Sequence, residues 1–343
     1  MATYKIALIE GDGIGPEVWK ASLPLLDAIR DKFKLKFEIR PAPAGDECKR
    51  SSGVALPDDS ISTIESSDAC LKAPVGDTAL DVIVRLRRIL NLYANIRPVK
   101  SLPQVPCLRP DIDFVIVREN TEDLYIGMEF EFEGGVLALR KTTRRACEMI
   151  VEHAFRLAES RNKSKKLLAV HKANVLRKSD GLFAQVCREI ASRHPSVGLS
   201  EMLVDSAAMN LIRTPESFDV IVTTNMYGDI LSDEAAQLVG GIGLAPSANI
   251  GDRLAIFEPV HGAAPDIAGK NIANPTAMVL TICMMLDWLS ESRGDKTCKA
   301  AAEGIRRSVN AVLKSGVRTA DLGGQSSTTE VGKAITKQLQ SEA

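Results

Sequence analysis

Short apolar runs of strand length, separated by amphipathic stretches of helical period, constrain this chain most. Residues 4–9 (YKIALI), 114–117 (FVIV), 167–170 (LLAV) and 218–222 (FDVIV) are such runs, and each leads through polar residues into a helix or loop. A strand with no polar face must be covered on both sides, as happens in a sheet sandwiched between helices. Pro16 opens the stretch PEVWKASLPLLDAIRDKF, at the first helical turn, where its missing N–H is no loss. The pattern predicts an α/β fold. At 343 residues the chain exceeds one average core, so two lobes are expected. Residues 126–140 (IGMEFEFEGGVLALR) depart from this pattern, alternating apolar and polar about Gly134-Gly135. They predict a hairpin, an arm suited to packing on a second subunit.

Charge and cysteine usage exclude several function classes. With 43 basic and 44 acidic residues, the chain lacks the basic surplus that phosphate-backbone binding requires, so no nucleic-acid partner is expected. Seven scattered cysteines, odd in number and without a CxxC pair, fit free thiols in a reducing compartment. The apolar run at 4–9 is too short for a signal peptide, and none approaches the roughly 20 residues of a membrane span. A cytoplasmic protein without membrane contact is expected.

Gly11-Asp12-Gly13-Ile14-Gly15-Pro16 follows a strand and opens a helix, as a dinucleotide-binding loop does. Pro16 takes the place of the third glycine of G-x-G-x-x-G, and Asp12 would face a pyrophosphate with like charge. The loop reads as a tight turn and helix start; a Rossmann fingerprint is absent. Further along, Asp229 and Asp233 in NMYGDILSD stand at i and i+4, on one face of a helix. Two oxygen ligands so placed suit Mg2+ or Mn2+, although first-turn acids more commonly serve the helix dipole. Asp205 could complete such a site from elsewhere. Leu80, Ile83, Val84 and Arg87 are spaced to share one helical stripe, while Arg97 precedes Pro98 and Arg118 closes the run FVIVR. Guanidinium forks at strand ends suit small carboxylates, and a di- or tricarboxylate needs several.

GDGIGPE (11–17), YANIRP (93–98), VRENTEDLYIG (117–127), HKANVL (171–176), NMYGDILSDEAA (225–236) and EPVHGAAPDIAGKNIANPTA (258–277) occur in this order. Together they resemble the isocitrate/isopropylmalate dehydrogenase family over essentially the whole chain. The stretch LKAPVGDTALDVIVRLRRILNLYANIRPVKS is most similar to its archaeal-type 3-isopropylmalate branch. The resemblance implies a two-lobed fold with a mixed central sheet, not a Rossmann fold. Residues 1–98 with 240–343 would form the cofactor-side lobe and 99–239 the dimerisation and metal/substrate lobe. It further implies a homodimer with shared active sites. Arg87, Arg97 and Arg118 would hold the carboxylates of a malate-like acid. Asp229 and Asp233, with Asp205 from the second subunit, would bind Mg2+ or Mn2+. Lys172, also from across the dimer, would help remove the hydroxyl proton, and Tyr125 would protonate the enolate carbon after decarboxylation. His261, Gly262, Ala264, Asp266, Ile267 and Asn274 would bind the adenosine half of the cofactor. The carboxylate of Asp266 suits a ribose 2′-hydroxyl and repels a 2′-phosphate, which implies NAD.

Family members that take isocitrate tend to place Ser and Asn where this chain has Asp81 and Ile83. The apolar face of Leu80, Ile83 and Val84 would gain roughly 1.5–3 kcal/mol from burying an isopropyl group. A carboxylate buried there unpaired would cost several kcal/mol. The resemblance therefore implies oxidative decarboxylation of 3-isopropylmalate to 4-methyl-2-oxopentanoate and CO2, a step of leucine biosynthesis. A homoisocitrate, isocitrate or dual-substrate enzyme is the alternative. The presence of Tyr125, Lys172, Asp205, Asp229 and Asp233 argues against a non-catalytic regulatory subunit.

Overall fold

A computed structural model describes residues 2–341. Its strands are β1 (Ala2–Ile9), β2 (Leu35–Pro41), β3 (Ala69–Lys72), β4 (Ala94–Lys100), β5 (Asp113–Glu119) and β6 (Glu129–Phe132), followed by β7 (Gly135–Ala138), β8 (Lys166–His171), β9 (Gly198–Leu203), β10 (Val220–Thr223), β11 (Pro246–Ile250) and β12 (Ala255–Pro259). All but β6 and β7 join one sheet in the order β2-β1-β3-β12-β11-β4-β5-β10-β8-β9. The strands β2, β1, β3 and β12 run parallel, and so do β5, β10, β8 and β9. Between these blocks, β11 and β4 pair antiparallel with each neighbour, so the two blocks point in opposite directions. This is a mixed α/β sheet, and its order is not that of a Rossmann fold.

The apolar runs become strands because both faces are covered. In β1, Ile6 and Leu8 enter the main core, whereas Ala7 and Ile9 enter a second cluster with Leu56 and Leu86. In β5, Val115 and Val117 face the main core while Phe114 and Ile116 join a third cluster with Leu211, Leu231 and Leu238. The stretch opened by Gly15-Pro16 forms the helix Gly15–Phe33. Arg97, read as the end of a strand, lies inside β4, which continues through Pro98 to Lys100. A proline is tolerated there because β4 pairs with β11 only as far as Ile96, so one edge carries no ladder at Pro98.

Segments 1–98 and 240–343 supply β1–β3, most of β4, β11 and β12, and segment 99–239 supplies β5–β10. One sheet continues through both, joined along the β4–β5 ladder. The strands β6 and β7 pair as a separate two-stranded hairpin, with Phe130, Phe132, Val136 and Leu137 all exposed. No helix among the described residues is long and apolar enough to cross a membrane.

Candidate active site

Where the two blocks of the sheet meet, the four central strands each place one polar side chain into a common cleft. Arg97 comes from β4, Arg118 from β5, Ser247 from β11 and Glu258 from β12; Lys72 from β3, with Arg87, Tyr125, Asp229 and His261, completes the polar side-chain lining. The cavity is about 210 Å³. Ligand crevices commonly form where strand direction or order switches.

Arg118 is the most constrained of these groups. It is fully buried, donates from Nε to Asn225 Oδ1 at 2.9 Å, and pairs through Nη1 with Asp229. Gly228 makes this possible: a Cβ there would meet Arg118 Cγ at 2.6 Å, so only glycine lets the helix Asn225–Leu238 pass over the guanidinium. The Nη2 of Arg118 has no partner. Burial, then the nearby Arg97 and Arg87, push the Arg118 pKa down to about 9. A buried donor without an acceptor, in a field left positive by its neighbours, is a site for an anion.

Arg97 donates to Asn95 Oδ1 at 2.7 Å and Ser232 Oγ at 2.6 Å, and bridges Asp229 and Asp233, each at 3.1 Å. Both carboxylates thus lie on one helix face against a shared cation. Burial works against the Asp229 anion, but Arg118 and Arg97 hold its carboxyl below the usual range. Burial raises the Asp233 carboxyl pKa against the pull of Arg97. Two carboxylates on one helix face fit a hard divalent cation that keeps water or substrate in its remaining positions. Among the described residues no three His, Cys, Asp or Glu side chains gather closely enough to hold a metal. Asp205 lies apart, with its carboxylate on Lys172 Nζ at 2.6 Å; neither of these residues lines the cleft.

Tyr125 donates its phenol proton to Asp229 Oδ2 at 2.5 Å and lies under the Arg118 guanidinium, 5.0 Å from its ring centre. Burial raises the phenol pKa against the pull of Arg118, so the group stays protonated and can act as an acid.

Ile83 and Val84 line the cleft beside Arg87. Leu80 does not, contrary to the helical stripe expected from spacing. It is 58% exposed and stands in an adjacent groove whose wall shares Val84 and Tyr125. The reason is a π turn over Leu80–Val84, in which Arg85 N–H reaches the Leu80 carbonyl five residues back. The extra residue per turn rotates Leu80 off the face carrying Ile83 and Arg87.

The cofactor candidates are only partly gathered. Gly11 and Gly13 have φ of +69° and +56°, and a Cβ on either would meet a carbonyl oxygen, of Pro74 at 1.9 Å or Ala263 at 2.0 Å. The glycine loop is therefore a tight turn packed on the backbone of the 261–268 segment, with Ile14 N–H donating to Ala263 O at 2.8 Å. His261 and Gly262 reach the cleft. Burial lowers the His261 pKa; Nδ1 contacts Gly262 O at 3.1 Å, and Nε2 is buried without a partner. A neutral ring donating from Nδ1 leaves Nε2 as an acceptor for a ligand hydroxyl or amide. Ala264 and Ile267 are half-buried on this loop, and Asp266 is exposed. Asn274 is turned elsewhere, donating to Asp321 at 2.9 Å and accepting from Thr276 N–H at 3.0 Å.

Sequence reasoning missed one buried network. Lys72 Nζ donates to Glu258 Oε2 at 2.6 Å, Arg87 Nη2 to Glu258 Oε1 at 3.2 Å, and Asn249 Nδ2 to Glu258 Oε1 at 2.8 Å. Asn249 Oδ1 in turn accepts from Arg87, Asn95 and Asn120. The available signal was a charged residue inside each of two buried strands, ACLK and AIFEP. Buried charges of that kind are retained only when paired.

The geometry describes a cleft that joins three guanidiniums, donors suited to carboxylates, to an apolar wall. Residues 5–335 match the family described as isocitrate/isopropylmalate dehydrogenase. The chain is 50% identical to a 3-isopropylmalate dehydrogenase of Methanothermobacter thermautotrophicus, over 99% of this chain and 100% of that protein. It is equally 50% identical to one of Archaeoglobus fulgidus, over 98% and 99%. The crystal structure of isocitrate dehydrogenase from Methylococcus capsulatus superposes with a TM-score of 0.92 at 39% identity, covering 98% of this chain and 99% of that one. With sequence and fold matched from end to end, the chain belongs to the isocitrate/isopropylmalate dehydrogenase family.

Proposed function

We propose that this chain is an NAD-dependent 3-isopropylmalate dehydrogenase, which converts its substrate to 4-methyl-2-oxopentanoate and CO2 as a homodimer with Mg2+ or Mn2+. The observation that carries the substrate is the union of three guanidiniums with the apolar wall of Ile83 and Val84 in one cleft. The names of the two archaeal relatives point the same way.

In this reading Arg87, Arg97 and Arg118 bind the two malate carboxylates, with Arg118 Nη2 supplying a donor that is otherwise unused. Asp229 and Asp233 hold the cation together with the partner's Asp205. When bound, the metal supplies Lewis-acid polarisation of the substrate oxygens and NAD+ accepts the hydride. Lys172 of the second subunit takes the hydroxyl proton. Tyr125, kept protonated by burial, delivers a proton to carbon after CO2 leaves. His261, Gly262, Ala264, Asp266, Ile267 and Asn274 form the adenosine side of the cofactor site. The exposed carboxylate of Asp266 favours a free ribose 2′-hydroxyl.

A homodimer is supported by two observations. Lys172 and Asp205 do not line this chain's own cleft. Moreover, exposed apolar residues cluster on the hairpin (Phe130, Phe132, Val136), on the helix Val204–Arg213 (Met209, Ile212) and on the helix Asn225–Leu238 (Ile230). Seven free cysteines suit a reducing, cytoplasmic setting.

Steady-state kinetics with 3-isopropylmalate, isocitrate, homoisocitrate, D-malate and tartrate, each with NAD+ or NADP+, test the reading. The highest kcat/KM is expected for 3-isopropylmalate with NAD+; a higher value for any other acid would overturn the substrate assignment.

A further inference from the structure

Arg140 follows β7 at the base of the hairpin and is not part of the cleft. Its guanidinium nevertheless ties together three segments that carry the proposed chemistry. Nε and Nη2 fork onto Asp123 at 2.6 and 3.2 Å, Nη1 pairs with Asp180 Oδ1 at 2.5 Å, and Nη2 also donates to Thr224 Oγ1 at 2.9 Å. The plane of the group lies over the Tyr227 ring, 5.1 Å from its centre.

Each carboxylate passes the constraint onward. Asp180 Oδ2 accepts the backbone N–H of Lys172 at 2.6 Å. Asp123 accepts the N–H of Leu124 at 2.9 Å and that of Met226 at 3.1 Å. It thereby starts the turn that carries Tyr125 and caps the helix that carries Asp229 and Asp233. Asp123 holds φ +69°, a backbone conformation that persists only when its surroundings enforce it. Both carboxylates are almost fully buried, and Arg140 is their one ion-pair partner among the described residues.

We propose that Arg140 is a positioning residue that sets Tyr125 and the metal-binding helix on one side, and Lys172 on the other, from a single planar fork. The proposal rests on the reading of the site as a shared dehydrogenase centre. On that reading Lys172 serves the partner's cleft, so one guanidinium aligns groups of two active sites. A lysine can neutralise the same two acids as a point charge but cannot reproduce three coplanar donors. That difference separates positioning from mere charge balance.

The test is R140K, followed by kinetics with 3-isopropylmalate and hydrogen exchange of the Lys172 and Met226 amides. A roughly 10–100-fold fall in kcat is expected, because small misplacements of reacting groups are costly. KM should stay within about threefold of wild type, since the carboxylate forks are untouched. Exchange should accelerate at both amides. Wild-type kcat in R140K, or faster exchange at only one of the two amides, would overturn the proposal. Should R140K fail to fold, D180N, which keeps Arg140 on Asp123, tests the Lys172 arm alone. Faster exchange at the Lys172 amide but not at Met226, with a lowered kcat, is then expected, and wild-type exchange at Lys172 or wild-type kcat would overturn the proposal. A wild-type protein inactive on 3-isopropylmalate would sink the functional reading instead, and the exchange data would still decide whether the link exists.

Discussion

At the scale of single residues, the cleft is built from charges that could not be buried alone. Lys72 and Glu258 are 3% and 6% exposed, and each would be prohibitively costly without a partner. Burial alone would raise the Glu258 pKa, but Lys72 and Arg87 outweigh it and bring the carboxyl down to about 2. Replacing Glu258 by Gln leaves two buried cations uncompensated and is expected to destabilise the fold by about 3–5 kcal/mol. The pH dependence follows from the sign of the shift. A carboxyl whose folded pKa lies below its unfolded value of about 4.3 stabilises the fold fully above that value. The contribution is lost as pH falls from about 4.3 towards 2. Urea midpoints of wild type and E258Q should therefore differ most at neutral pH and converge on acidification below about pH 4. A gap that stays constant down to pH 3 would refute the pairing as the source of the difference.

At the scale of elements, spacing reveals some features and hides others for definable reasons. Strands such as β1 and β5 are visible because both faces are covered, leaving an uninterrupted apolar run. The edge strands β2 (LKFEIRP) and β9 (GLSEML) keep exposed positions, so no such run marks them. Spacing reveals the stripe of Ile83, Val84 and Arg87 but misplaces Leu80, because a π turn changes helical phase without altering composition. Lys72 and Glu258 escape a reading of the sequence for a related reason. A lone charge in an apolar run resembles a strand end until its partner, distant in sequence, is known. The π turn also carries a prediction about specificity. It directs Ile83 and Val84, but not Leu80, at the cleft, so Ile83→Ala should lower kcat/KM for 3-isopropylmalate by roughly 10–100-fold, the range of lost hydrophobic pocket contacts. D-Malate, which has no alkyl substituent, should be affected far less. An equal loss with both acids would show that Ile83 shapes the cleft as a whole and does not read the isopropyl group.

At the scale of the whole molecule, the centre held by one chain is incomplete on the proposed reading. Arg87, Arg97, Arg118, Tyr125 and Asp229 converge in its cleft, whereas Lys172 and Asp205 pair with each other elsewhere. A two-fold dimer would resolve this, because an isologous interface presents the same residues of each subunit to the other. The hairpin, with its exposed Phe130, Phe132, Val136 and Leu137, offers apolar surface suited to such an interface. Shared sites make a prediction that separate sites do not. Tyr125→Phe and Lys172→Ala homodimers should each lose most activity, by roughly 100-fold or more for loss of a proton-transfer group. In a mixed dimer, the cleft of the K172A chain has its own Tyr125 and receives Lys172 from the Y125F chain, so one centre is whole. The other cleft lacks both groups. Random reassociation makes half of the dimers mixed, each with one working centre in two, so about a quarter of wild-type activity should return. If each cleft instead used its own Lys172, every centre in the mixture would lack one group, and no activity would be recovered.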